Sequence, residues 1–369
     1  MKLVVFAHTP PPLHGQSAMV ATLVDGLSDD PDIEILHINV RLSRTPGDIG
    51  RAHAGKLWQL LAACGRAWRL RARHGRCAFY YVPAPGRRVP LLRDLLVMSL
   101  CRPLFSPLIL HWHAIGLGAW LGQCATPLER ALARRLLGGA ALSLALAPEL
   151  AADAAALAPR EVRIVPNSVP DPGEPAPRAV RSGGAPCHVL FLGQCSHSKG
   201  LFDTLEAVVQ LESSAPARFR LTVAGSFASD DEAGAFFSRV ASLRPGLVTH
   251  TGFADAARKQ ALFAAADVFC FPTSYPHEGQ PLTLIEALAH DVPIVTTRWR
   301  AIPGMLPPDH VWFVEPGNPA GIAAALTAAA AGPRANGKLR AHYLARFTPQ
   351  RHLATLRAAL LSVRRSSPA

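Results

Sequence analysis

Two glutamates, Glu278 and Glu286, stand eight residues apart in PTSYPHEGQPLTLIEAL (272–288), and Gly279 directly follows the first. An apolar run ends at Phe271, a polar loop follows, and a helix is expected from Pro281 or Leu282. Proline costs a first helical turn little, because its missing N–H had no intrahelical partner there. The backbone N–H groups of Gly279, Gln280 and Leu282 would then surround a helix N-terminus, a ready site for phosphate. Glu286 interrupts an otherwise apolar helix. It is either a surface residue on a half-exposed face or an acceptor for sugar hydroxyls, and the pattern alone leaves both open. HWH (111–113) ends another apolar run, and a histidine at a strand end serves either structure or chemistry.

Three rival motifs fail on inspection. GQCSHSKG (193–200) lacks the glycine before the lysine and the Ser/Thr after it that a nucleotide-binding P-loop needs. GLGAWLG (116–122) has the wrong glycine spacing for a dinucleotide fingerprint, and no acidic residue ends a strand about twenty residues on. Asp30-Pro31-Asp32 has the outline of a metal-binding pair, yet the proline and its polar surroundings read as a plain turn.

The elements that must position these residues alternate along the whole chain. KLVVFAH (2–8) reads as a buried strand, and SAMVATLVDGL as a helix capped near Ser17. IEILHINV, CAFYYVP, PLILHWH, ALSLALA and VRIVPNSV are further strands, with helical sequence at 52–73, at 127–137 and after Glu149. DPGEPAPRAVRSGGAP (171–186) is rich in proline and glycine and reads as a connector. The rhythm then restarts: HVLFLG, FRLTVAG, LVTHTG, DVFCFPT, VPIVTT and VWFVEPG alternate with helices near 200–212, 231–243, 255–265 and 282–290. RFTPQRHLATLRAALLSVRR is expected to be one long terminal helix. Strands alternating with helices predict parallel sheets, so the expectation is α/β: two doubly wound, Rossmann-like domains with a ligand cleft between them. The expected boundaries are 1–170, a linker at 171–186, 187–345, and a terminal helix at 346–369 packing back toward the first domain.

The stretch from Glu278 to Glu286 resembles the E-x7-E element of the family 4 glycosyltransferases, whose fold is GT-B. FLGQCSHSKGLFDTLEA resembles that family's G-R-x4-K-G segment, LTVAGSF and VTHTGF its next two strands, and DVFCFPTSYPHEG the strand before the motif. VWFVEPGNPAGIAAAL resembles the segment after it, and VPNSV the P-N-G element before the linker. The likeness covers about 162–329 well and the earlier part by layout more than by residue. It implies that Glu286 binds the ribose hydroxyls of a nucleotide-sugar donor and that Glu278 faces the donor sugar. Lys199 would hold the diphosphate and stabilise the leaving group, and Gly15 would admit the diphosphate against the first domain's backbone. His113, with His111 next and His14 a weaker candidate, would contact the reacting sugar. The donor would be UDP- or GDP-linked, the chemistry retaining and hexosyl-transferring, and no metal or other cofactor is expected. The first domain would bind the acceptor and the second the nucleotide sugar.

Three departures from that family stand out. Gln194 replaces the usual arginine before the lysine, and a neutral amide is no substitute for a bidentate cation unless Arg298 or Arg300 compensates. Gln280-Pro281 stands where Phe-Gly is usual, and TTRWRAIPGML where a paired glycine is commoner.

With 49% hydrophobic and 17% charged residues among 369, the chain is folded globular protein with room for two cores. The N-terminal apolar run is too short for a signal-peptide core, so a cytoplasmic protein is expected, peripheral at the inner membrane face. The seven cysteines show no paired spacing and read as buried free thiols. The net charge of +12 implies an anionic partner. No acidic residue occurs between Asp48 and Asp94, while nine arginines and Lys56 do. Residues 51–76 read either as an interfacial helix on anionic lipid or as a solvated face with Trp58 and Trp68 buried. No nucleic-acid motif accompanies the charge. The leading function is transfer of a sugar to a saccharide or lipid-linked acceptor in cell-surface polysaccharide or glycoconjugate synthesis. A nucleotide-sugar epimerase of the same fold and a non-catalytic sugar-nucleotide-binding subunit stand as alternatives.

Overall fold

A computed structural model describes residues 1–41, 54–174, 185–332 and 335–365. The middle of the expected linker, 175–184, and Arg51 of the basic stretch lie outside the described residues. The chain forms two compact units. The first gathers Met1–Ser168, His277–Gln280 and Pro349–Ala369; the second gathers Val169–Pro276 and Pro281–Thr348.

In chain order, unit 1 holds β1 (Lys2–Ala7), α1 (Gly15–Gly26), β2 (Glu34–Asn39), α2 (Ala54–His74), β3 (Ala78–Tyr81) and α3 (Arg88–Cys101). It continues with β4 (Leu108–Trp112), α4 (Leu117–Gln123), α5 (Pro127–Leu136), β5 (Leu142–Ala145), α6 (Ala152–Ala155) and β6 (Val162–Ile164). The strands form a parallel sheet in the order β2-β1-β3-β4-β5-β6. Period-two alternation sends Val4, Phe6, Phe79 and Tyr81 into one core and Leu3, Val5, Ala78 and Tyr80 into another on the opposite face. With both faces covered, β3 and β4 are wholly buried, as their unbroken apolar runs require.

Unit 2 repeats the scheme with β7 (Cys187–Leu192), α7 (Leu201–Ser214), β8 (Phe219–Ala224), α8 (Asp230–Ala241), β9 (Val248–His250) and α9 (Ala256–Ala265). Next come β10 (Val268–Phe271), α10 (Leu282–Ala289), β11 (Ile294–Thr297), α11 (Ile302–Met305), β12 (Val311–Val314), α12 (Pro319–Ala331) and α13 (Lys338–Arg346). Its parallel sheet runs β12-β11-β10-β7-β8-β9. From β7 the chain moves one way along the sheet, and from β10 the other. The loops after β7 and β10 therefore flank the switch point, where open α/β sheets hold their ligands.

Several local expectations need correction. The first helix starts at Gly15, capped by His14, because Ser17 works from its third position: the Ser17 N–H donates to His14 Nδ1 at 3.3 Å and the His14 N–H to Ser17 Oγ at 3.0 Å. The terminal basic segment forms one helix, as expected, but that helix, α14 (Pro349–Arg365), starts three residues into the segment, after α13 has ended at Arg346. α14 belongs to unit 1, where Leu356 and Leu360 enter the core beside α1 and Arg357 bridges Asp30 and Asp32. The Asp30-Pro31-Asp32 turn is thus a receiving point for that helix. Cys124 is exposed, whereas the other six cysteines are buried, all as free thiols.

α3 had no counterpart among the expected elements. Its Pro90 falls in the first turn, where it is tolerated, and its mixed pattern hides one buried charge. Asp94 is fully buried and accepts from Tyr81 Oη at 2.7 Å, from the Ala84 N–H at 2.7 Å, and from Arg93 at 2.7 Å. Replacing Asp94 by alanine strands two buried donors and one guanidinium. Urea unfolding of Asp94→Ala should show a loss of about 3 kcal/mol or more; a change below about 1 kcal/mol would contradict this role.

Candidate functional site

Lys199 ends a 3-10 turn, His197–Lys199, that follows β7. Ser196 caps the turn by accepting the Lys199 N–H, and Gly200 closes it at φ 79°, a left-handed conformation that suits glycine. A β-carbon on Gly200 would stand 2.3 Å from the carbonyl oxygen of Pro272, so glycine is also required by close approach. That approach joins the loop after β7 to the loop after β10. The Ser274 N–H donates to the Ser198 carbonyl at 2.8 Å, and Lys199 Nζ lies 4.4 Å from the centroid of the Tyr275 ring. At the switch point the two loops are one structure.

Gln194 is exposed beside this turn. The two arginines that might replace the absent cation have partners of their own. Arg298 stacks 4.6 Å over the Phe313 ring, and Arg300 lies 5.3 Å over Trp299 and donates to the Pro276 carbonyl at 3.2 Å.

Glu286 sits in α10, which starts at Leu282 behind Pro281. Its carboxylate keeps only 18% of its surface and pairs with Lys259 Nζ, of α9, at 2.9 Å. The other oxygen, Oε2, is buried with no hydrogen-bond partner among the described residues. Burial raises the Glu286 pKa, and Lys259 pulls it back. The half-exposed surface reading of this residue is therefore set aside.

Glu278, Gly279 and Gln280 belong to unit 1. A β-carbon on Gly279 would stand 2.4 Å from the His113 carbonyl oxygen. His277 meets the Ile115 carbonyl at 2.8 Å. Gln280 accepts the Asn167 N–H at 2.6 Å, and the Asn167 side chain donates to the Gln280 carbonyl at 2.9 Å. Glu278, between these anchors, is 7% exposed. The loop after β4 is itself held by Asp153, which accepts from the N–H groups of Gly116 and Gly118 at 2.5 and 2.7 Å.

His113 follows β4 directly, with both ring nitrogens buried and without a hydrogen-bond partner among the described residues. Its ring centroid lies 4.1 Å from that of His111, whose Nδ1 meets Tyr80 Oη at 2.5 Å. Burial first, then the neighbouring His352 and His14, push the His113 pKa down to about 3. Burial and His8 push His14, at the start of α1, down to about 4. At neutral pH these imidazoles are uncharged, able to offer either a donor or an acceptor to a hydroxyl. Gly15 opens α1 and is exposed beside His14.

The structure thus brings Lys199 together with the loop after β10 and, separately, sets His113 against Gly279. Asn167, Asp153 and Lys259 were not singled out as site residues. Asn167 lay in the quoted VPNSV, but Asp153 and Lys259 carry no local signal, since their partners are 37 and 27 residues away. Among the described residues no group of three or more His, Cys, Asp or Glu side chains is placed to hold a metal ion.

The two sheets and their loops define the class: the fold is GT-B, with two Rossmann-like domains. A family model described as glycosyl transferases group 1 matches residues 186–331. A putative colanic acid biosynthesis glycosyltransferase, WcaL of Escherichia coli K12, is 28% identical over 154 residues, 39% of this chain and 36% of that protein. Its counterpart in Salmonella typhimurium is 28% identical over 157 residues, 40% of this chain and 37% of that protein. The match thus spans little more than a third of these relatives. Among solved structures, sucrose-phosphate synthase from Thermosynechococcus elongatus superposes with a TM-score of 0.77 at 16% identity, covering 100% of both chains. HepE of Anabaena in complex with UDP-glucose gives 0.69 at 14% identity, over 98% of this chain and 99% of that one.

A histidine neutral in the folded state binds a proton on unfolding below its ordinary pKa. For His113 the unfolded chain holds the extra proton between pH 6.5 and about 3, so stability falls as pH falls through that window. Each such group contributes a slope of up to about 1.4 kcal/mol per pH unit. Denaturant melts from pH 7 to 4 should show His113→Gln losing less stability with acid than wild type. Parallel curves would contradict the assigned protonation state.

Proposed function

We propose that the chain is a retaining, family 4-type glycosyltransferase that moves a hexose or related sugar from a nucleotide-diphosphate donor to a saccharide or lipid-linked acceptor. Cell-surface polysaccharide or glycoconjugate synthesis is the setting that fits the colanic acid relatives. One observation carries the reading: the loop bearing Lys199 and the loop leading to Glu278 and Glu286 interlock at the switch point of the second sheet.

In this reading the carboxylate of Glu286 accepts hydrogen bonds from the donor's ribose hydroxyls. Lys199 lies against the diphosphate and neutralises charge as the sugar–phosphate bond breaks, so transfer needs no metal. The N–H groups of Gly279, Gln280 and Leu282 add positive potential around the phosphates. Glu278 faces the donor sugar beside its anomeric carbon. His113, uncharged and with two unpartnered nitrogens, orients a sugar hydroxyl without repelling the incoming nucleophile's proton. Gly15 leaves room for the diphosphate at the start of α1. The acceptor attacks from the face the nucleotide leaves.

A second reading, a sugar-nucleotide-binding subunit without turnover, is favoured by one observation. Gln194 is neutral, and Arg298 and Arg300, the two arginines that could compensate, are engaged on aromatic rings. Turnover by the isolated protein decides between the two.

α2 gives this enzyme a membrane face. Leu60, Ala63, Cys64 and Ala67 enter the core, while Leu57 and Trp58 are 51% and 74% exposed and Trp68 is 43% exposed. The reading with both tryptophans buried is therefore overturned. Arg66, Arg69 and Arg73 lie on the same outer side, and a helix with exposed tryptophans among arginines suits the interface of an anionic bilayer. No helix among the described residues is long and apolar enough to cross a membrane.

Lys199→Ala and Glu278→Ala should each lower transfer by roughly 100-fold or more while leaving thermal unfolding cooperative. Turnover within a fewfold of wild type in either variant would remove the assigned roles. Wild type should co-sediment with phosphatidylglycerol vesicles at low salt, and Trp58→Glu should not. Equal sedimentation of the two would remove the membrane face.

A further inference from the structure

Glu286 presents an odd arrangement for a purely structural ion pair. One oxygen is held by Lys259 at 2.9 Å, and the other is buried with no donor among the described residues. A buried acceptor left without a partner costs free energy unless something outside the chain supplies a donor. Lys259 belongs to the first turn of α9, which Asp255 caps by accepting the Arg258 N–H at 2.9 Å. Its backbone N–H bonds the Asp255 carbonyl at 2.9 Å, so the lysine stem starts from a fixed point.

Other charged and titratable groups near α10 are turned elsewhere. His290 stacks its ring on Phe263, with centroids 4.9 Å apart. Arg340 of α13 donates to the Ala289 carbonyl and to Asp171. Lys259 is thus the cation that acts on the Glu286 carboxylate.

We propose that Lys259 is a positioning residue for the donor's ribose. It keeps Glu286 ionised against burial and fixes the carboxylate plane so that Oε2 accepts from the cis-diol of a nucleoside diphosphate. The proposal rests on the reading of Glu286 as the ribose acceptor. Lys259 itself touches no reacting atom. Its loss lets the buried carboxylate take up a proton, and a protonated carboxyl is a weaker acceptor for two hydroxyls. Raising the pH restores the charge, and with it the affinity.

The test is calorimetric titration of the full chain with UDP, GDP and ADP from pH 6 to 9, using wild type, Lys259→Met, Lys259→Arg and Glu286→Gln. For whichever nucleotide binds wild type most tightly, Lys259→Met should raise Kd about tenfold at pH 7, the scale of one charge-assisted hydrogen bond. Relative to wild type, the penalty should shrink to about threefold or less at pH 9. Lys259→Arg should stay within about threefold throughout. A 2′,3′-dideoxy analogue should bind wild type and Lys259→Met alike. If Lys259→Met does not fold, Lys259→Gln is read over the same range.

An unchanged Kd in the Lys259 variant, or a penalty equal at every pH, overturns the proposal, the second outcome marking a structural role only. If Glu286→Gln binds as wild type does, or no nucleotide binds wild type, the underlying reading of Glu286 fails. A loss in Glu286→Gln with Lys259→Met silent sinks the Lys259 role alone.

Discussion

The main chain at Gly279 approaches the His113 carbonyl so closely that any β-carbon would stand 2.4 Å from its oxygen. The candidate residues of unit 1 in this stretch are arranged around that contact. On one side His277 bonds the Ile115 carbonyl, and on the other Gln280 exchanges two hydrogen bonds with Asn167. Glu278 is therefore strung between three anchors and held 7% exposed, where its carboxylate has little freedom to lose when a ligand arrives. The loop it rests against is no softer, since Asp153 accepts the N–H groups of Gly116 and Gly118 where that loop enters α4.

A second close approach organises unit 2. Gly200 lies against the Pro272 carbonyl in a backbone conformation that side chains rarely adopt, and that fit lets the loops after β7 and β10 interlock. Lys199 and Tyr275 are brought face to face as a result. The sheet order explains why these two loops and no others meet there. β7 and β10 are neighbours whose connections diverge, which leaves a gap beyond their C-terminal ends. Glu286 lies one turn into the helix that leaves this gap, where burial raises its pKa and the pairing with Lys259 opposes that rise.

Most of the architecture was legible from periodicity. Strand after strand stood where an apolar run was bounded by glycine or proline, and the restart after the linker marked the second sheet. What escaped was set by contacts distant in sequence. α3 carries a proline in its first turn and a buried aspartate, so neither its start nor its inward face follows a simple pattern. Ser17 looks like a cap, but the actual cap is His14, whose imidazole takes the same hydrogen bond. In the site, Lys199, Glu278 and Glu286 could be singled out by their motif. Lys259 and Asp153 could not, because their value lies in what they hold, and Asn167 stood inside VPNSV with no role assigned to it. The tryptophans of α2 were ambiguous from their type alone: Leu60, Ala63, Cys64 and Ala67 take the core face of that helix, and Trp58 and Trp68 fall outside it.

Hydrogen exchange of the full chain, with and without a saturating nucleoside diphosphate, tests the central claim most directly. The account predicts added protection in two peptides, one spanning Ser196–Leu201 and one spanning Gly279–Ile285, the loops that flank the switch point. Protection confined to other segments, with these two unchanged, would contradict it.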